Sequence, residues 1–210
     1  MTDLLSLLSS NPYPGRGIVV GNDRVYYFIM GRSFNSRNRI FVKTEDGIRT
    51  EAHDPALLQD PSLIIYHPVR QTEQGLIVTN GDQTDTIRDM GCFRKALMTR
   101  EYEPDIPNFT PRISAILRKD GSFELSILKH GEGSCIREFF CYEGIAEGQG
   151  YFISTYQGDG NPLPSFAGEP ILVTMPEPEQ VWQALNQDNK VSLYANVHGS
   201  VTIFNKHLGD

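Results

Sequence analysis

The sequence predicts an α/β protein of the α+β kind, in which stacked, mostly antiparallel sheets are covered by helices. Three observations lead there. Short β-branched and aromatic runs fill most of the chain, Gly, Asn and Asp punctuate them at hairpin spacing, and a helical period appears only in a few separated places. Strands joined by tight turns pair antiparallel, and their sheets must bury a face against a second sheet or a helix. Gly158-Asp-Gly160 is not the start of a dinucleotide-binding unit, because no Gly-x-Gly-x-x-Gly leads from a strand into a helix.

Taken in order, Leu4, Leu5, Leu7 and Leu8 can line one side of a short helix that Pro12 and Pro14 terminate, a helical extension over residues 1–10. Residues 18–20 and 25–30 are β-rich and flank Gly21-Asn22-Asp23, a hairpin composition. A second hairpin is expected at 40–43 and 48–51 around Glu45-Asp46-Gly47. Residues 63–66 and 76–79 follow as strands joined through Glu73-Gln74-Gly75. From 83 to 97 the period changes: Ile87, Met90, Phe93 and Leu97 recur at three- and four-residue steps, with Gly91 interrupting the face.

A proline-rich loop at 104–111 precedes a second group of strands at 112–117, 123–128, 136–142, 151–156 and 170–174, with Asp120-Gly121 marking another turn. Residues 176–187 read as a helix that buries Val181, Trp182 and Leu185. A closing strand or strand pair spans 191–204. With no internal repeat and no linker, a single domain over residues 1–210 is expected.

Composition narrows the function classes. A formal net charge of -7 argues against sequence-independent nucleic-acid binding, which draws its affinity from Lys and Arg. No apolar run approaches the ~20 residues of a membrane span, and residues 1–10 lack the basic start of a secretory signal, so a cytoplasmic protein is expected. The three cysteines, Cys92, Cys135 and Cys141, contain no Cys-x-x-Cys pair, and the five histidines are scattered. No metal and no organic cofactor is expected.

Polar residues concentrate in five blocks. Asn11-Pro-Tyr-Pro-Gly-Arg-Gly17 can hold Arg16 in a defined place, although a rigid lead-in to the first strand explains the same residues. Gly31-Arg-Ser-Phe-Asn-Ser-Arg-Asn-Arg39 carries three arginines among small polar residues, and the planar guanidinium fork matches phosphate oxygens. Val78-Thr-Asn-Gly-Asp-Gln-Thr-Asp-Thr86 runs from a strand into a helix whose first N–H groups can bind an anion, or are simply capped by Asp82 and Thr84. Arg100-Glu-Tyr-Glu-Pro-Asp105 with Asn108-Phe-Thr-Pro-Arg112 offers close carboxylates that can be driven to different pKa values, or a charged surface loop. Tyr156-Gln-Gly-Asp-Gly-Asn-Pro162, with Phe166, has the composition of a loop that closes on a ligand.

In this order the blocks resemble the archaeal-type IMP cyclohydrolase family, on Asn11 to Gly17, Gly31-Arg-Ser33 with Asn38-Arg39, Glu101-Tyr-Glu-Pro-Asp105 and Thr110-Pro-Arg-Ile113. The resemblance implies a four-layer αββα sandwich like that of the N-terminal-nucleophile hydrolases. It implies an enzyme that closes the purine ring, converting a formamidoimidazole carboxamide ribonucleotide into inosine monophosphate with loss of water. It also implies catalytic positions at Glu101, Glu103, Tyr66 and Asn80, and substrate- or phosphate-binding positions at Arg16, Arg32, Ser33, Asn38, Arg39 and Arg112. The expected partner is therefore a phosphorylated purine-precursor nucleotide, with no nucleic acid and no membrane; a homo-oligomer is left open. On an extended stretch the i, i+2 spacing of Glu101 and Glu103 would set both on one side.

Two rival readings stand beside this one. A nucleotide-binding relative could keep the arginines without catalysis. An N-terminal-nucleophile amidohydrolase could use Thr2, although Thr2 precedes a Leu-rich helical pattern instead of opening a core strand.

Overall fold

The computed structural model describes residues 1–58, 61 and 64–209. The chain begins with α1 (Leu4–Ser10), β1 (Arg16–Gly21), β2 (Arg24–Met30), α2 (Phe34–Arg37), β3 (Arg39–Lys43), β4 (Gly47–Ala52), β5 (Val69–Thr72) and β6 (Gly75–Thr79). It continues through α3 (Gln83–Met90), α4 (Phe93–Met98), β7 (Arg112–Leu117), β8 (Phe123–Gly131), β9 (Ser134–Tyr142), β10 (Gln149–Ser154) and β11 (Ile171–Thr174). α5 (Pro178–Ala184), β12 (Lys190–Val197) and β13 (Ser200–Asn205) complete it.

The strands form a six-stranded sheet in the order β11-β10-β1-β2-β12-β13 and a seven-stranded sheet in the order β3-β4-β5-β6-β7-β8-β9. All named pairings are antiparallel. Ile18, Val20, Tyr27 and Ile29 of the first sheet meet Phe41, Ile48, Val78, Ile113, Ala115 and Leu125 of the second in the central core. On the other face of the first sheet, Val19, Tyr26, Phe28 and Met30 pack under Leu4, Leu8, Val181 and Trp182 of α1 and α5. Ile77, Ile116 and Leu128 do the same under Ile87, Phe93 and Leu97 of α3 and α4. The result is the αββα layering. Because β1 and β2 are covered on both faces, their apolar residues run on without alternation, each fully buried side chain contributing about 1.5–3 kcal/mol.

Local chemistry fixes the helix ends. The Asp3 carboxylate accepts from the Ser6 N–H at 2.8 Å and opens α1. Glu177 and Gln180 form a capping box at α5, with Pro178 in its first turn. The periodic stretch at 83–97 is two helices, because Gly91 adopts φ 60° and its N–H closes α3 on the Ile87 carbonyl.

Several sequence expectations shift. Leu63, the first residue of the strand expected at 63–66, lies outside the described residues, and 64–66 form a turn instead of a strand. The Ile64 and Ile65 N–H groups fold back onto the Pro61 carbonyl, and the Thr50 hydroxyl lies 2.6 Å from the Ile64 carbonyl, so the strand starts only after Pro68. The helix expected at 176–187 occupies Pro178–Ala184. The strand expected at 151–156 stops at Ser154, because Thr155 and Tyr156 turn to bond Arg16 and Pro14.

The topology gathers one end of the sandwich. In the first sheet Arg16 lies opposite Ile29, and Gly17 opposite Ser154. The start of β1 and the ends of β2 and β10 therefore share one border. The loops attached there, 11–15, 31–38 and 155–163, meet the 101–111 loop that leads into β7.

Candidate active site

A cleft of about 300 Å³ opens where these loops meet, lined by residues from all of them. Its floor depends on a close backbone approach. Gly15 has φ +74°, and a Cβ there would stand 2.3 Å from Thr155 Oγ1 and 2.6 Å from the Tyr156 ring. That contact lets the Arg16 N–H donate to Thr155 Oγ1 at 3.1 Å while the Thr155 N–H returns to the Arg16 carbonyl at 2.9 Å. Tyr13 stacks on Tyr156, with ring centroids 5.9 Å apart.

Buried charge distinguishes the floor. Arg16 is 9% exposed and Glu103 3%. Burial alone would lower the Arg16 pKa, but the facing Glu103 and the phenols of Tyr66, Tyr156 and Tyr13 outweigh it and hold the guanidinium charged. Burial drives the Glu103 pKa above its ordinary value against the opposing pull of Arg16, Arg112 and Arg39, and Asp105 adds to the rise. Arg16 Nε is buried without a hydrogen-bond partner. Such an atom is costly unless something else fills the site.

The mouth of the cleft is more exposed. Arg32 pairs with Asp159, donates to the Gly160 carbonyl at 3.1 Å, and lies over the Tyr13 ring at 4.9 Å. Ser33 caps α2, its Oγ accepting from the Ser36 N–H at 3.1 Å, and Asn35 and Ser36 line the same wall. The Leu163 N–H donates to Asn108 Oδ1 at 3.1 Å and ties the two long loops together.

Of the residues expected from sequence, Arg16, Arg32, Ser33 and Glu103 meet in the cleft. Arg39 is fully buried behind the wall: its Nε donates to the Ser36 carbonyl at 2.8 Å, and one Nη has no partner. Burial, reinforced by the charge of Arg16, lowers its pKa. Tyr66 sits beneath the cleft, its hydroxyl 3.0 Å from that of Tyr27. Asn80 holds the entry to β7, donating to the Pro111 carbonyl at 2.9 Å and accepting from the Ile113 N–H at 2.8 Å. Arg112 is bonded to Asp82 at 2.8 Å and Gln83 at 2.7 Å. Asn38 is spent on the Asp54 backbone, at 2.9 and 2.8 Å, outside the cleft lining.

Glu101 and Glu103 do not share a side. The 101–111 segment is not an extended strand, and the Glu101 side chain is 65% exposed with Arg137 at 3.8 Å. The carboxylate that shares the cleft with Glu103 is Asp105. Sequence reasoning passed over Asp105, Tyr13, Asn108, Thr110 and Tyr156 as individual site residues, although each stands inside one of the polar blocks. Thr2 is exposed and pairs along β11, its N–H on the Leu172 carbonyl at 2.9 Å, away from the cleft lining. Among the described residues, no group of His, Cys, Asp and Glu is arranged to hold a metal ion, and no helix is long and apolar enough to cross a membrane.

A buried cation with a free donor, a buried carboxyl with a raised pKa and a polar mouth can hold an anionic ligand and move a proton within it. The chain is similar to IMP cyclohydrolases of archaea. It is 27% identical to that of Methanococcus aeolicus over 69% of this chain and 74% of the relative. It is 32% identical to that of Methanopyrus kandleri over 73% of this chain and 79% of the relative. With the Methanococcus maripaludis protein identity is 33%, over 53% of this chain and 61% of the relative. The family model described as IMP cyclohydrolase-like protein matches residues 13–201, the span that holds β1 to β12, the start of β13 and every residue lining the cleft, and the chain belongs to that family.

Proposed function

We propose that this chain is an IMP cyclohydrolase that closes the ring of 5-formamidoimidazole-4-carboxamide ribonucleotide in the cleft over Arg16 and Glu103. In this reaction the carboxamide nitrogen bonds to the formyl carbon and gives up one proton, the formamido nitrogen gives up its own proton as a C=N bond forms to that carbon, and the formyl oxygen takes up both and leaves as water. Charge grows on that oxygen as the bond forms. Arg16, charged and carrying a buried Nε without a partner, supplies a fixed donor for it in a poorly hydrated place, where such a donor is worth most.

Glu103 is the group that carries the proton. Its raised pKa makes the protonated form less costly than for an ordinary carboxylate, so it can take the proton from nitrogen and return it to the leaving oxygen. Arg32, with Ser33 and Ser36, holds the phosphate at the mouth. Arg39 positions that wall through the Ser36 carbonyl, Tyr66 supports Arg16 from below, and Asn80 and Arg112 hold the entry to β7. Because the two reacting groups belong to one substrate, a bound conformer with nitrogen near the formyl carbon lowers the barrier further.

The observation that carries the proposal is the buried Arg16 and Glu103 on one floor. A protein that only bound an anionic nucleotide would gain nothing from a second negative charge there, which disfavours the non-catalytic alternative. Thr2, exposed and paired along a sheet edge outside the cleft lining, is far from the buried charge of the cleft floor, which disfavours the amidohydrolase. Ultraviolet detection of IMP, when the purified chain meets the formylated carboxamide ribonucleotide, tests the proposal. Absence of IMP with a folded protein would refute it.

A further inference from the structure

Tyr156, Thr110 and Asp105 form a hydrogen-bonded chain along the cleft wall. Asp105 takes the Thr110 N–H on one oxygen, at 2.6 Å, and the Thr110 hydroxyl on the other. As a carboxylate, Asp105 can only accept, so the single proton of the Thr110 hydroxyl points at it. The Thr110 oxygen must then accept from its other neighbour, the Tyr156 hydroxyl. Tyr156 is 2% exposed and its one proton is committed to Thr110. What its oxygen has left for the cleft is lone pairs.

We infer that Tyr156 is a specificity-determining residue whose hydroxyl, oriented by Asp105 through Thr110, accepts a hydrogen bond from the N–H edge of the bound base. The inference rests on the reading above, in which the base end lies over Arg16 and Glu103, which line the same cleft as Tyr156, and the phosphate lies at the mouth. The donor is the carboxamide N–H of the substrate, which becomes the ring N1–H of IMP. AMP carries a bare acceptor at N1 and would set lone pair against lone pair. A site built to pair a polar group discriminates strongly against a ligand that leaves it unpaired.

The test is calorimetric binding of IMP and of AMP to the purified full chain, with wild-type turnover measured alongside. The wild type should prefer IMP on the order of tenfold or more. Tyr156→Phe removes the acceptor. Asp105→Asn reverses the chain, since the new amide donates to Thr110 and frees the Tyr156 proton to face the ligand. Both should shrink the preference on the order of tenfold, and Asp105→Asn added to Tyr156→Phe should change the ratio little further. Thr110→Ser should keep the preference and Thr110→Val should lose it, which covers the case in which Asp105→Asn fails to fold.

Additive effects of Asp105→Asn and Tyr156→Phe, or a wild-type preference that survives Tyr156→Phe, would overturn the assignment. The two readings fail separately. A chain that makes no IMP but shows a Tyr156-dependent preference loses the catalytic proposal and keeps this one, whereas a chain that makes IMP without that preference does the reverse.

Discussion

The two ends of the sandwich carry cavities of nearly equal size, about 280 Å³ at the hairpin end and about 300 Å³ at the cleft, yet they differ in what their polar groups lack. At the hairpin end the turns between β1 and β2, β5 and β6, β7 and β8, and β12 and β13 close the layers. Several of their charges pair with one another or with neighbours: Asp23 meets His198 at 2.9 Å and Arg24 at 3.5 Å, and Arg118 pairs with Glu124. At the cleft end Arg16 and Glu103 are buried, and Arg16 Nε is left without a partner. Concavity is common to both ends; among the described residues, an unpaired donor beside a carboxyl with a raised pKa is confined to one. A tight turn shields its own backbone, whereas the long loops at the cleft end leave charge waiting for a ligand.

The sharpest way to break the comparison is Glu103→Gln, which keeps the shape and removes the ionisation. Turnover should fall on the order of 10²-fold or more while IMP still binds, and Glu101→Gln should leave turnover near wild type. Loss of IMP binding in Glu103→Gln would make the residue a ligand-positioning group instead.

The same variant has a pH signature. A base must be ionised to act, so kcat/KM of the wild type should climb with rising pH through the pKa of Glu103, which lies above the ordinary 4.5 because of burial. In Glu103→Gln that acid limb should vanish. A limb unchanged in the variant would assign the titration to another group.

Next in size is Arg16→Met, which should lower turnover by roughly 10²-fold, the cost of losing one donor to a developing oxyanion, and weaken IMP much less, because the oxygen it holds has left as water. Arg32→Ala should have a smaller effect of roughly tenfold or less, because its partner Asp159 and its own exposure moderate the charge. It should weaken IMP more than inosine, and equal loss for both would place something other than phosphate at the mouth. Smallest of all is His198→Ala at the opposite end. Its 69% exposed ring pairs with Asp23 at the surface, so turnover and IMP binding should match the wild type.

How much of this was legible in the sequence follows the same division. The hairpins could be read because tight turns have local chemistry: Gly21-Asn22-Asp23 leads from the end of β1 towards β2, and Glu45-Asp46-Gly47 leads into β4. The αββα layers came from family resemblance together with the strand count. The site was legible as blocks but not as individual side chains. Glu101 and Glu103 look equivalent two residues apart, but the Glu103 N–H is tied to the Thr110 carbonyl at 2.9 Å and its side chain is buried, while that of Glu101 stays in solvent. Arg39 looks like a ligand-facing arginine until packing places it behind Ser36. Tyr156 and Thr110, 46 residues apart, meet only through the loops that close the cleft. Such pairings are decided by tertiary contacts, which no local pattern encodes.

A crystal structure of the chain with bound IMP tests the central claim most directly. The base should lie against Arg16, Glu103 and Tyr156, with the phosphate beside Arg32 and Ser33 at the mouth. IMP seated among Asn22, Asp23 and His198, or lying in the cleft with its phosphate on Arg16, would contradict it.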